Sequence, residues 1–333
     1  SIASAAGLAY TVELAHPAYW GTMAGLYNVC WWLGNILAGW TTYGTNLHFP
    51  GSAWAWRVPT ITQCLLPGIV MCLIMFFPES PGWLIMKNRR EEAITVLAKY
   101  HGEGDRHSPL VELQIREIVD DMSSATDNNP WWQFKELFNT RAARYRLYLV
   151  ICMAFFGQWS GNNVVSYFMP AVLKSAGILD TNRQLLINAI NPIFSMQAAI
   201  YGATLLDKLG RRVMLMGGLV GALFSYVLLT AFTAVSTEKP NLAYGTIVAI
   251  FLFGVFFAWV WTALQTLYAV EVLENRTRAK GSGLNFLFLN VAMVVNTYAY
   301  PSPVSALLLT LLSYGISVGI AKIGWKLYLV YIV

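Results

Sequence analysis

The sequence predicts an all-α integral membrane protein, and three observations carry that prediction. Of 333 residues, 56% are apolar, 14% aromatic and only 12% charged, with a mean hydropathy of +0.51, whereas about 25% of a typical soluble domain is charged. Apolar stretches of bilayer-crossing length, about 20 residues each, recur near 1–15, 19–42, 58–77, 147–173, 184–206, 213–235, 242–270 and from 281 onward. Most basic residues gather between those stretches rather than in a polybasic patch, so the net charge of +5 speaks for a lipid bilayer and against nucleic acid.

Taken in order, the first span ends near Glu13, and the second holds Asn28 and Asn35. Two turns of helix put residues seven apart on one face within about 20°. The small residues Gly21, Gly25, Gly34 and Gly39 in the same span favour close helix packing, so the two amides read either as interhelical glue or as the lining of a polar cavity. The third span gives way to the one long polar segment, 79–145, which with Arg146 at its edge carries ten of the 22 basic residues. The loops at 207–212 and 271–280 add three each. Alternating spans put all three segments on the same side, which the positive-inside rule makes the cytoplasm. The opposite loops carry only Arg57, Lys174, Arg183 and Lys239. Within the polar segment, Ile94, Leu97 and Ala98, and then Leu113, Ile118 and Val119, recur at helical spacing and predict short amphipathic helices at the membrane surface. His101 and His107 near Glu103 and Asp105 match no metal-ligand spacing. Asn275-Arg276-Thr277 is a glycosylation sequon that this topology places inside the cell, where it stays unmodified.

The spans are organised around Phe156 to Pro170, a polar run inside an apolar segment. Gln158 and Asn162 are four apart and predict one helical face, Asn163 adds a third amide, and Gly161 and Pro170 are points where the helix can open and free its carbonyls. An uncharged amide both donates and accepts, which suits the hydroxyls of a neutral polyol better than an ion. Intramembrane amides also bond neighbouring helices, and spacing alone leaves both readings open.

Elsewhere the sequence offers no chemistry. Cys30, Cys64, Cys72 and Cys152 fall in apolar spans without paired spacing and read as small core residues. Gly217 to Gly221 is a packing motif inside a span, not a phosphate loop. There is no nucleophile–base pair, no metal cluster and no Walker motif, which speaks against an enzyme and an ATP-driven pump and implies no cofactor and no metal.

Pro78-Glu79-Ser80-Pro81-Gly82-Trp83-Leu84, Gln158 to Tyr167, Asp207 to Arg212, Glu271 to Gly281 and Tyr100-His101-Gly102-Glu103-Gly104-Asp105 together resemble the sugar porter family of the major facilitator superfamily, in particular its fungal hexose and lactose permeases. The resemblance implies a major facilitator transporter fold with a polar site at the midplane and alternating access. This chain would be a truncated form with about eight transmembrane helices and an intracellular helical loop. It would begin within the fourth helix and end at the start of the twelfth. Residues 1–78 are then the remainder of the N-terminal half, 79–145 the cytoplasmic helical loop and 146–333 the C-terminal half. The resemblance implies a substrate site of Asn28, Asn35, Gln158, Asn162, Asn163, Tyr167 and Asn290, with Trp261 and Tyr268 as wall residues whose apolar faces suit a sugar ring. It implies a cytoplasmic latch of Glu79, Asp207, Arg211, Arg212, Glu271 and Arg278, with Glu13 at its edge.

The sequence departs from that family at several places. Trp20 and Gly82 stand where it has latch arginines, Gly157 where it has the first of two glutamines, and Ala269 where it has a proline. From Gly281 to Ala321 the last span is 41 residues, roughly 60 Å of helix. Ala299 to Tyr314, with Pro301 and Pro303, therefore reads as an insertion. The implied function is carriage of a neutral sugar, a hexose or a lactose-like disaccharide, by a multi-pass and monomeric protein of the plasma membrane. Proton symport and facilitated diffusion both remain open, because the proton-taking carboxylate of related symporters belongs to the first helix. A sugar sensor without transport and a non-functional truncated product are the alternatives.

Overall fold

A computed structural model describes residues 2–125, 134–167, 169–236 and 243–298. The described elements are helical, and each expected crossing overlaps at least one of them, those at 58–77 and 147–173 being split into shorter helices. Helix α1 (Ile2–Leu14) is followed by a 3-10 turn at Pro17–Tyr19 and by α2 (Trp20–His48). The third crossing is split into α3 (Trp54–Thr62) and α4 (Leu65–Leu73), because Pro67 has no N–H to offer the carbonyl of Gln63 and crowds the preceding turn. Helix α5 (Pro81–Met86) starts with Pro81 at its first position and Ser80 capping the Trp83 amide at 3.2 Å, a favourable pairing of start signals. The polar segment supplies α6 (Arg90–His101), α7 (Pro109–Ala125) and the short α8 (Glu136–Asn139), matching the two amphipathic helices expected there. Then follow α9 (Arg141–Trp159), α10 (Asn162–Tyr167), α11 (Met169–Ser175), α12 (Thr181–Leu209), α13 (Arg211–Ser236), α14 (Ala243–Val272) and α15 (Asn275–Tyr298).

By length and composition Trp54–Phe76, Arg211–Val235 and Ala243–Val272 qualify outright as membrane-crossing helices. Helices α2 and α12 are equally long at 29 residues but less oily, since each is studded with amides and hydroxyls. The suspected insertion at Ala299 to Tyr314 lies outside the described residues.

The chain divides into two compact units. One comprises residues 1–27, 68–151 and 266–286. In it α6 and α7 close on Leu97, Val111 and Ile115, with Ile94 and Ile118 packed alongside. His101 is buried, with one ring nitrogen 2.7 Å from Gln114 Oε1 and the other 3.1 Å from the Leu14 carbonyl. The two amphipathic helices are thereby tied to the end of α1. Tyr10 donates to the Pro78 carbonyl at 2.7 Å, and Ser80 donates to the Glu13 carboxylate. A second cluster, Leu137, Leu147, Val150, Ala269 and Leu273, is flanked by an ion pair between Arg146 and Glu274.

Among the described residues, the other unit falls within 28–67, 152–265 and 287–298. Its helices approach closely through small residues, the packing mode of membrane bundles. Gly39 of α2 lies against Ala189 of α12, Gly202 of α12 against the backbone of Trp259, and Gly218 and Gly221 of α13 against Val260 and Phe256 of α14. The glycine motif at 217–221 is thus a helix-packing surface. Helix α2 joins the same core through Val29 and Trp32 against Ala199 and Ala258.

Candidate binding site at a broken helix

The polar run expected to open the helix does so. The last helical bond of α9 runs from the Ser160 amide to the Phe156 carbonyl at 2.9 Å. Gly161 then takes φ +89°, a conformation that glycine adopts without the clash a Cβ would bring. Helix α10 restarts as the Val164 amide bonds the Gly161 carbonyl at 3.0 Å. This overturns the single face expected of Gln158 and Asn162. Four residues share a face only on a continuous helix, and the left-handed residue between them resets the direction.

The break sorts the three amides. Asn162 is half-buried and its Oδ1 accepts from Ser166 one turn on, at 3.0 Å. Asn163 is 2% exposed, and its Nδ2 has no acceptor among the described residues. Gln158, at the end of α9, is half-buried. Tyr167 closes α10, and Pro170 is the second residue of α11.

Helix α14 faces this break with a stripe of every fourth residue. Phe253 and Phe257 stack at 5.7 Å and 25°, and Phe257 stacks on Trp261 at 6.2 Å and 19°. The next residue in the stripe is Gln265. A Cβ placed on Gly157 of α9 would stand 2.6 Å from Gln265 Nε2 and 3.1 Å from the Trp261 ring, so both side chains lie against the α9 backbone beside Gln158. The Trp261 Nε1 and Gln265 Nε2 groups are buried without an acceptor among the described residues. Gln265 was not among the expected site residues. The four-residue spacing from Phe253 was the signal that could have found it.

Around this pair the other expected residues take different positions. Asn28 and Asn35 are half-buried on α2, on the same face as Trp32 between them. Trp32 Nε1 donates to Thr262 Oγ1 of α14, the neighbour of Trp261, at 2.9 Å. Helix α15 reaches α9 through the Trp159 indole, which donates to the Ala292 carbonyl at 3.4 Å, and through Phe155 and Phe288. Asn290 on α15 is exposed. Tyr268 is half-buried and falls in the other unit.

The expected latch residues are also divided between the units. Glu13, Glu79, Glu271 and Arg278 belong to the first and are exposed, while Asp207, Arg211 and Arg212 flank the turn at Gly210 in the second. An ion pair between distant segments of that first unit uses Arg146 and Glu274, neither of which was among the latch candidates.

Chemically, the second unit offers neutral amide and indole donors, aromatic faces and no charged side chain among Asn28, Asn35, Gln158, Asn163, Trp261 and Gln265. Side chains of these types suit oxygen-rich, ring-shaped molecules, through hydrogen bonding and apolar contact.

Known proteins resemble this chain along most of its length. The family model described as "Sugar (and other) transporter" matches residues 2–329. A probable quinate permease of Aspergillus niger is 29% identical over 264 residues, which are 77% of this chain and 48% of that protein. The quinate permease of Neurospora africana is 29% identical over 290 residues, 82% of this chain and 53% of that protein. The chain thus spans about half the length of the curated relatives it matches. The proton:xylose symporter XylE bound to 6-bromo-6-deoxy-D-glucose superposes with a TM-score of 0.74 at 21% identity, over 98% of this chain and 66% of that one. The inward-open conformation of XylE from E. coli gives 0.66 at 18%, over 98% and 63%. At these identities the structural likeness shows the fold, that of a major facilitator. Since the family match runs over nearly the whole length, the chain belongs to the sugar (and other) transporter family.

Proposed function

We propose that the protein carries a polyhydroxylated ring molecule across the plasma membrane by alternating access, as a multi-pass monomer. One observation carries the reading. Of four buried N–H donors that lack acceptors among the described residues of an apolar helical unit, three, Asn163 Nδ2, Trp261 Nε1 and Gln265 Nε2, lie on α10 and on the α14 stripe, while the fourth, Trp259 Nε1, lies off that stripe. A buried unpaired donor costs about 1–3 kcal/mol, and intramembrane polar groups mark substrate pathways. Oxygen atoms of a bound polyol would supply the missing acceptors.

Two substrates fit the class. A neutral hexose or disaccharide suits the absence of a cation among the proposed lining residues. Quinate, a ring polyol bearing a carboxylate, is the substrate named for the relatives in Aspergillus and Neurospora, and a site of unpaired donors suits its acceptor-only carboxylate. The test is counterflow in vesicles holding the full-length protein, with labelled quinate, xylose, glucose and lactose offered separately. Accumulation of one or more of these establishes transport, and binding without counterflow would favour the sensor reading. Repeating uptake with and without a pH gradient separates proton symport from facilitated diffusion.

A further inference from the structure

The proposed site depends on the angle between α9 and α10, and one side chain from a third helix sits on that joint. Tyr226 of α13 is 1% exposed, and its hydroxyl donates to the Gly161 carbonyl at 2.6 Å. The same carbonyl accepts the first amide bond of α10, from Val164. The hydroxyl therefore bonds the atom at which the new helix begins. It also covers the α-carbon, since a Cβ at Gly161 would overlap the Tyr226 hydroxyl and ring. Glycine is required there twice over, by its φ of +89° and by the tyrosine pressed against it.

Tyr226 is itself fixed. Its ring meets Phe253 edge-on at 4.9 Å and 81°, and Phe253 heads the stripe through Phe257 to Trp261 and Gln265. Edge-to-face pairs of this kind are favoured beyond what burial alone supplies. The hydroxyl thus belongs to a continuous aromatic column whose far end forms the wall against Gly157. Asn163, two residues beyond Gly161, carries one of the unpaired donors, so a change of joint angle swings that amide relative to the wall.

We infer that Tyr226 is a positioning residue. By bonding the Gly161 carbonyl it sets the angle of α10 and hence the placement of the Asn163 amide toward the substrate. This rests on the transport reading for its ligand, but the joint itself is testable without one. Two measurements on the full-length protein in detergent or vesicles decide it, both with Tyr226→Phe, which removes the hydroxyl and keeps the ring.

The first is hydrogen exchange. The amides of Val164 and Val165 should exchange two- to ten-fold faster in the variant, the range that loss of one hydrogen bond supports, while α12 amides stay unchanged. The second is the half-saturation of counterflow. It should rise two- to ten-fold in Tyr226→Phe at an unchanged amount of folded protein, and Tyr226→Phe should add nothing once Asn163→Ala is present. A merely structural tyrosine would lower the melting temperature and leave half-saturation unmoved, or its effect would multiply with that of Asn163→Ala; either result overturns the inference. If none of the polyols is carried, the transport reading fails, and unaltered exchange at Val164 and Val165 would still overturn the joint by itself.

Discussion

Replacing Gly157 by alanine tests whether Gln265 contacts the substrate. The new methyl carbon would stand 2.6 Å from Gln265 Nε2 and 3.1 Å from the Trp261 ring, against an ordinary contact distance of about 3.5–4.0 Å. The amide must therefore retreat by roughly 1 Å, and the ring by less than half of that. The ring is braced by its stack on Phe257, whereas the amide is the tip of a flexible side chain, so the amide yields. Overpacking in a tight interior costs about 1–3 kcal/mol, and a yielding tip puts this site at the low end. Loss of one donor to substrate costs about 0.5–1.5 kcal/mol, which is roughly two- to twelve-fold in half-saturation. Counterflow half-saturation should rise by that factor while the melting temperature moves little, and Gln265→Ala should raise it similarly. If both variants transport with wild-type half-saturation, Gln265 does not touch the substrate, and the unpaired amide needs another explanation.

Other variants probe the frame around this site. Gly202→Ala would drive a methyl group into the Trp259 backbone, where no rotamer change relieves it; a loss of about 1–3 kcal/mol or more should appear as a clear drop in melting temperature, larger than for Gly157→Ala. His101→Ala removes both ring contacts, to Gln114 and to the Leu14 carbonyl. At about 1 kcal/mol per hydrogen bond plus lost packing, it should expose the α6–α7 connection to limited proteolysis while counterflow half-saturation stays at the wild-type value. Arg146→Ala should cost no more than about 1 kcal/mol, because the Arg146–Glu274 pair is 36% and 58% exposed and surface ion pairs contribute little; the effect should vanish at high salt, and reversing both charges should restore stability.

The crossings were legible because apolar length is local information: some 20 oily residues in a row commit to a helix whatever surrounds them. The amphipathic pair in the polar segment was legible for the same reason, since Ile94, Leu97 and Ala98 repeat at helical spacing without reference to any partner. The opening at Gly161 was readable as a weak point. Its consequence was not, because whether Gln158 and Asn162 share a face depends on the sign of one φ angle that a tyrosine 65 positions away helps to hold. The Arg146–Glu274 pair, 128 positions apart, has no periodicity to betray it. The helices that bring its two carriers together decide it, and Glu271 and Glu274 are indistinguishable by composition.

Gly157 shows most directly what comparison along the chain misses. Against the family pattern it registers as a lost amide, a glycine where the first of two glutamines is expected. In the folded chain, the space beside that glycine is occupied by the amide of Gln265, delivered from α14 to within 2.6 Å of where a side chain at 157 would begin. A glutamine at 157 and the present position of Gln265 exclude each other sterically, so one change requires the other to move. Position-by-position comparison counts the loss in one helix and does not register that a side chain of another helix fills the same space. A Gly157→Gln, Gln265→Gly exchange that kept counterflow, where Gly157→Gln alone abolished it, would establish that the two positions serve a single amide.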